Sequence, residues 1–224
     1  MTMQIAEAGS QHVPAAAAGA RDATLLAQRF VDCLVCVLAA PFALTIAAAI
    51  AFLIRLDGGA AVFSQRRVGL GGRPFNCLKF RSMVPDADEQ LETMLARDEA
   101  ARSEWERYQK LASDPRITPI GKLIRASSLD ELPQLLNVWR GEMSIVGPRP
   151  ILLEQIALYG DSFRAYCTIR PGITGLWQIG GRNNCTFAER VRLDMQYVCT
   201  RSVLRDLRII VLTIPAVFAR KGAR

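Results

Sequence analysis

Histidine is nearly missing from this chain. Its 224 residues include one, His12, beside an Ala-rich N-terminal stretch (PAAAAGA) that reads as disordered. Imidazole is therefore unavailable to the core, so any catalysis runs on carboxylates, Lys, Arg, Cys or a metal held by oxygen ligands. A disulfide framework is missing too. The six cysteines, at 33, 36, 77, 167, 185 and 199, are scattered, which predicts a reducing, cytoplasmic setting. Cys33 and Cys36 spell C-x-x-C inside an apolar run, with no basic neighbour to lower a thiol pKa, and read as small buried hydrophobes. The glycines at 69, 71 and 72 are not a P-loop, because no G-K-[ST] follows them. Repeats and a second soluble domain are also lacking.

What the chain does have is positive charge and apolar surface. The net charge is +7 and the mean hydropathy is +0.16. Such a balance points to anionic partners: phosphates, nucleic acid or acidic headgroups. From Phe30 to Ile54, 25 residues carry a single charge, Asp32. As one helix this run reaches about 37 Å, enough for a hydrocarbon core of about 30 Å. It is too long for a cleaved signal peptide, and Glu7 and Asp22 precede it. Pro41 near its middle favours a kink. Arg21 and Arg29 precede the run, and Arg55, Arg66, Arg67 and Arg73 follow it. A simple span carries its Lys/Arg bias on one side, so basic flanks on both sides fit a helix–break–helix that returns to the cytoplasmic face. An ordinary kinked span is the alternative.

After this segment, residues 61–83 read as two strands around a Gly-rich turn. Residues 86–112 read as one charged helix. Its opening Asp86 and Asp88 form a D-x-D, a pattern that serves metal binding in glycosyltransferases but that equally complements a helix N-terminus. A helix follows at 151–159, an irregular Gly/Pro-rich loop at 170–184 and a helix at 187–200. The tail, 203–218, sets Leu204, Leu207, Ile210, Val211, Ile214 and Phe218 opposite Arg205, Asp206 and Arg208. It suits a helix lying in a membrane interface, with core packing the alternative.

The stretch SSLDELPQLL (127–136) carries the chemistry. Pro133 is tolerated only in a first helical turn, which predicts an N-cap near Leu129 or Asp130, with Ser128 or Asp130 capping and Glu131 in the first turn. Capping explains one acid but not two. Lys79, Arg81, Arg125, Arg149 and Arg182 all fall beside turns or helix ends, where guanidinium forks and ammonium groups suit a diphosphate. Adjacent carboxylates with Mg²⁺ recruit the same group, and a carboxylate can itself attack phosphorus. Phosphoryl-type transfer is the first reading of these residues, and a structural cap on a membrane-bound binding module the second. A nucleic-acid binder or scaffold would account for the charge but not for the paired acids.

Three blocks, KFRSM (79–83), LIRASSLDELPQLLNVWRGEMSIVGPRP (123–150) and RPGITGLWQIGGRN (170–183), resemble the signature segments of the bacterial sugar transferases, the monotopic polyprenol-phosphate phosphoglycosyl transferases. The likeness runs from about Arg29 to Phe218 and is greatest to the compact, exopolysaccharide-initiating galactose-1-phosphate transferases. It implies an α/β, mostly helical fold. Residues 1–28 would form a disordered tail and 29–55 a re-entrant helix broken at Pro41. Residues 56–224 would form a small cytoplasmic catalytic domain with a short β-hairpin and interfacial amphipathic helices. It implies that Asp130 is the nucleophile on a UDP-hexose and that undecaprenyl phosphate is the acceptor. Asp130 and Glu131 would hold Mg²⁺, with handling of the acceptor's proton the alternative role for Glu131, while Lys79, Arg125, Arg149 and Arg182 contact phosphate or nucleotide. The setting implied is the cytoplasmic face of the bacterial inner membrane, with no nucleic-acid partner. A metal-dependent glycosyltransferase using Asp86 and Asp88, or an inactive membrane scaffold, is the competing reading. Galactose is favoured over glucose or an N-acetylated hexose, and oligomeric state is not legible.

Overall fold

The structure, a computed structural model, describes residues 15–56, 59–109, 111–180 and 185–218. The first element, α1, is one helix from Ala15 to Arg55 that continues through Pro41. Helix thus reaches back across residues 15–28, so the expected division between tail and helix at residue 29 is moved toward the N-terminus. His12 lies outside the described residues. From Thr24 to Arg55 the helix is long and apolar enough to cross a membrane, by length and composition. Most of its apolar side chains face outward: Phe30 is 70% exposed, Phe42 75% and Phe52 66%.

A narrower edge of α1 docks on the rest of the protein, and it docks at both ends. Before Pro41, Gln28 Nε2 donates to the Val146 carbonyl at 3.1 Å, and Arg29 donates to the carbonyls of Val138 and Trp139. Buried Asp32 accepts from Ser144 Oγ and the Ile145 N–H. After Pro41, Ile50 and Ile54 are buried against Ala61, Phe80 and Ile124, and Arg81 donates to the Ile54 carbonyl. A helix whose two ends rest on one folded body lies along that body.

Strands β1 (Val62–Val68) and β2 (Pro74–Phe80) form the expected antiparallel hairpin. Its register pairs Arg67 with Phe75, Gln65 with Cys77 and Phe63 with Lys79. Directly opposed residues project to one face, so Arg67, Cys77 and Lys79 share a side. The region 86–112 is two helices, α2 (Ala87–Arg97) and α3 (Glu99–Tyr108), rather than one. Asp98 divides them. Its N–H closes α2 on the Met94 carbonyl, while its side chain accepts from the N–H groups of Ala100 and Ala101 and caps α3.

Helix α4 (Pro119–Ala126) leads through a 3-10 turn at Leu129–Glu131 into α5 (Gln134–Arg140). Strand β3 (Ser144–Val146) pairs in parallel with β4 (Gly172–Thr174). Between them lie a 3-10 turn (Leu153–Gln155), α6 (Ile156–Tyr159) and α7 (Ser162–Tyr166), where one helix over 151–159 was expected. The segment 170–184, expected to be irregular, holds β4 and α8 (Leu176–Gly180). Its glycines serve close packing: a Cβ on Gly172 would lie 2.1 Å from the Gly147 nitrogen. Helix α9 (Phe187–Thr200) begins with Thr186 and Glu189 in a reciprocal capping box, close to its expected bounds.

The last helix, α10 (Val203–Phe218), has a buried edge and an exposed apolar side. Ile209 is buried, and so is Asp206, which accepts from the Tyr197 hydroxyl at 2.7 Å. Asp206 therefore faces the core, contrary to its expected place on the polar face. Leu204, Leu207, Val211 and Ile214 remain exposed. Together with the outward side of α1 they make a broad apolar surface, well beyond scattered single residues.

Candidate active site

The carboxylate pair stands in the turn between α4 and α5. Ser128, at the start of this turn, has φ 57°, a left-handed conformation that ordinary side chains avoid. The chain reverses there, and the short 3-10 turn that follows presents Asp130 and Glu131. Neither Ser128 nor Asp130 makes a capping bond, and the residue preceding α5 is Pro133 itself. The capping expectation is therefore corrected: the first turn of α5 starts after the acids, leaving both carboxylates available.

Lys79, on β2, reaches both acids. Its Nζ is 2.7 Å from Glu131 Oε1 and 3.8 Å from Asp130 Oδ2. The strand is held in place by buried Asn137 of α5, whose Oδ1 accepts from the Leu78 N–H and whose Nδ2 donates to the Asn76 carbonyl. An amide side chain thus substitutes for a third strand along the free edge of β2 and fixes Lys79 beside the dyad. Arg149 follows β3 in the GPRP segment and brings Nη1 to 3.9 Å from Glu131 Oε1. Its guanidinium lies over the Trp177 ring, 5.0 Å from the centroid, and Arg190 lies over the same ring at 4.8 Å. Arg125, in the last turn of α4, donates from Nε to Ser82 Oγ at 2.9 Å.

These surroundings treat the two acids differently. Burial opposes ionisation of both. For Glu131 the charges of Lys79 and Arg149 overcome it and hold the carboxyl below its ordinary range. Asp130 is pushed above its ordinary range, by burial first; Lys79 counters this, while the charge of Glu131 adds to it. The result is an asymmetric pair, with Glu131 shifted toward its charged form and Asp130 away from it. Unequal carboxylates in one site suit chemistry in which one is fixed as an anion and the other reacts.

The structure brings together Asp130, Glu131, Lys79, Arg125 and Arg149 from separate parts of the chain. Arg182 lies outside the described residues. Asp86 and Asp88 open α2, where Asp86 Oδ2 accepts from Gln90 Nε2. Asp86 lines a surface groove with Glu89, Thr93 and Arg97 that shares no residue with the cleft beside Glu131. Among the described residues no three His, Cys, Asp or Glu side chains converge on a metal position.

The arrangement of acids within a cationic shell is accompanied by a clear sequence relationship. The bacterial sugar transferase family profile matches residues 23–220. The chain belongs to the bacterial sugar transferase family. It is 48% identical over 167 residues to the exopolysaccharide production protein ExoY of Sinorhizobium fredii, covering 75% of this chain and 74% of that protein. It is 49% identical over 172 residues to the UDP-galactose-lipid carrier transferase of Erwinia amylovora, and 46% identical over 172 residues to the undecaprenyl-phosphate galactose phosphotransferase of Salmonella typhimurium. In both of these the match covers 77% of this chain and 36% of the relative.

Within this sugar transferase, four side chains at the site escaped the sequence reading. Arg67 was visible only as part of a basic flank, although the hairpin register puts it on the Lys79 face. Gln134 follows Pro133 directly and is 1% exposed. Trp177 and Arg190 come from α8 and α9, and nothing in their local spacing links them to Arg149.

Proposed function

We propose that this phosphoglycosyl transferase moves hexose-1-phosphate from a UDP-hexose to undecaprenyl phosphate, in two displacements at Asp130. The Asp130 carboxylate attacks the β-phosphorus of the donor. The bond from phosphorus to the bridging oxygen breaks, UMP departs with that oxygen, and the sugar phosphate remains on Asp130 as an acyl phosphodiester. The phosphate of the polyprenol then attacks the same phosphorus, giving polyprenyl diphosphohexose and restoring the carboxylate. Two steps at one residue spare the site from holding a nucleotide sugar and a lipid acceptor together.

The observation that carries this reading is the position of Asp130 and Glu131: uncapped, adjacent and within 4 Å of Lys79. Lys79 neutralises charge at the acids and faces the incoming diphosphate, Arg149 supplies a guanidinium fork, and Arg125 flanks Asp130. A raised Asp130 pKa gives the nucleophile more basicity while Lys79 limits the loss of its ionised form. Mg²⁺ fits this donor set. The ion commonly takes one or two carboxylates and completes its shell with water and substrate phosphate, so a third protein ligand is not required. Glu131, with Asp130, would hold it, and it would neutralise charge on the diphosphate.

Membrane attachment supplies the acceptor. Both ends of α1 dock on the catalytic body, with Pro41 between them, which favours a re-entrant helix lodged in one leaflet over a span with its ends on opposite sides. The exposed apolar face of α10 would lie in the same interface, placing the dyad where a soluble nucleotide sugar meets a lipid phosphate. We place the protein on the cytoplasmic face of the inner membrane. The relatives named for galactose transfer favour UDP-galactose as donor, and the one named for exopolysaccharide production favours initiation of such a glycan.

The released nucleotide tests the reaction class. With UDP-galactose, undecaprenyl phosphate and Mg²⁺, the product expected is UMP. Release of UDP in its place would mean transfer of sugar without phosphate and would refute the proposal.

A further inference from the structure

The cleft behind Glu131 contains more hydrogen-bond donors than the fold uses. It is lined by Arg67, Lys79, Glu131, Gln134, Arg149 and Ile173, among others. Arg67 spends two nitrogens on protein, donating from Nη1 to the Pro150 carbonyl and from Nη2 to Gln65 Oε1. Its Nε is buried and has no partner among the described residues. Gln134 is 1% exposed, and its Nε2 likewise has no partner there. A buried donor left without an acceptor costs about 1–3 kcal/mol, so each calls for a physical explanation. Both residues line a cleft whose charged side chains are Arg67, Lys79 and Arg149 against Glu131 alone. The excess is cationic, so the side of the cleft formed by Arg67, Gln134 and Arg149 suits an acceptor-rich anion.

We infer that this cleft is a phosphate subsite, built by Gln134 and Arg67 together with Arg149, that receives a phosphomonoester. The inference rests on the reaction proposed above, in which two phosphomonoesters visit the site: UMP as it leaves and the polyprenol phosphate as it arrives. The subsite belongs to UMP. The subsite adjoins the dyad through Glu131, which also lines the cleft. Gln134 Nε2 donates to a phosphate oxygen there and Arg67 Nε to another.

The decisive variant is Gln134→Leu, which keeps shape and removes the amide. ³¹P NMR titrations of the full chain in micelles would use UMP and orthophosphate, with binding of uridine followed calorimetrically. UMP and orthophosphate should each bind at least about 10-fold more weakly to the variant, the loss of one hydrogen bond to a charged group. Uridine, which lacks phosphate, should bind both proteins alike. The melting temperature should stay level or rise, because an orphaned buried donor has been removed. If UMP affinity is unchanged but the KM for undecaprenyl phosphate rises, the assignment to UMP is overturned in favour of the acceptor. Unchanged binding in every arm, or a lower melting temperature with uniformly reduced turnover, overturns the subsite. Orthophosphate binding does not depend on the donor sugar, so failure of the transfer reaction in wild type would be read separately.

Discussion

Replacing Lys79 with Met keeps the aliphatic stem and removes a charge that lies within 4 Å of both acids. At 3.8 Å from Asp130, a unit charge is worth about 4 kcal/mol at an effective dielectric of 20, and about 1 kcal/mol in bulk water. The Lys79 side chain is 23% exposed and that of Asp130 12%, which places the pair between these limits, nearer the first. A loss of about 3 kcal/mol in the transition state corresponds to roughly 100-fold in rate. The effect on pH dependence has a definite sign. Asp130 already lies above its ordinary range, so its reactive anion exists above that raised pKa and is lost as pH falls through it. Lys79 is the largest influence holding that pKa down. Without it the acid limb of activity should move to higher pH. The assay is initial UMP release from UDP-galactose and undecaprenyl phosphate across pH, with wild type and Lys79→Met at equal protein. A rate within threefold of wild type, or an acid limb that does not move, would remove Lys79 from the chemistry.

Other consequences concern the fold and the membrane. Single cysteines at Thr24 and Leu56, in a background without native cysteines, should both react with a membrane-impermeant reagent from the cytoplasmic side; labelling from opposite sides would establish a span. Asp98→Ala should cost about 1 kcal/mol of stability through the lost α3 cap, seen as a lower denaturation midpoint, while transferase activity stays at the wild-type level. Gly172→Ala should be far more damaging, because its Cβ would meet the Gly147 backbone at 2.1 Å. Loss of soluble, cooperatively melting protein is expected, and a wild-type melting temperature would contradict the close approach of β3 and β4.

What could be read in the sequence follows the range of the interactions involved. The hairpin was legible because strand alternation and the glycines at 69, 71 and 72 are local signals. The helix expected at 187–200 was similarly local. The split of the charged helix was not anticipated, since Asp98 reads as one more acid in a charged run until its side chain is seen turning back to Ala100 and Ala101. The glycines of 170–184, read locally, mark loops. Gly172 instead permits the approach of a distant strand, which no local pattern reveals. Asp130, Glu131, Lys79, Arg125 and Arg149 stood out through charge beside turns. Gln134, neutral and buried, gave no such signal, and the Arg149–Trp177–Arg190 cluster depends on contacts between residues far apart in sequence. Asp206, charged within an amphipathic helix, reads locally as solvent-facing because its partner, Tyr197, lies on another helix.

The most direct measurement is the mass of the intact protein. Wild type and Asp130→Asn would each be mixed with UDP-galactose and Mg²⁺ in the absence of polyprenol phosphate, then analysed whole and as peptides. Wild type alone should gain one hexose phosphate, on the peptide carrying Asp130, as UMP is released. The same adduct on the Asn variant, or on a peptide without Asp130, would contradict Asp130 as the nucleophile.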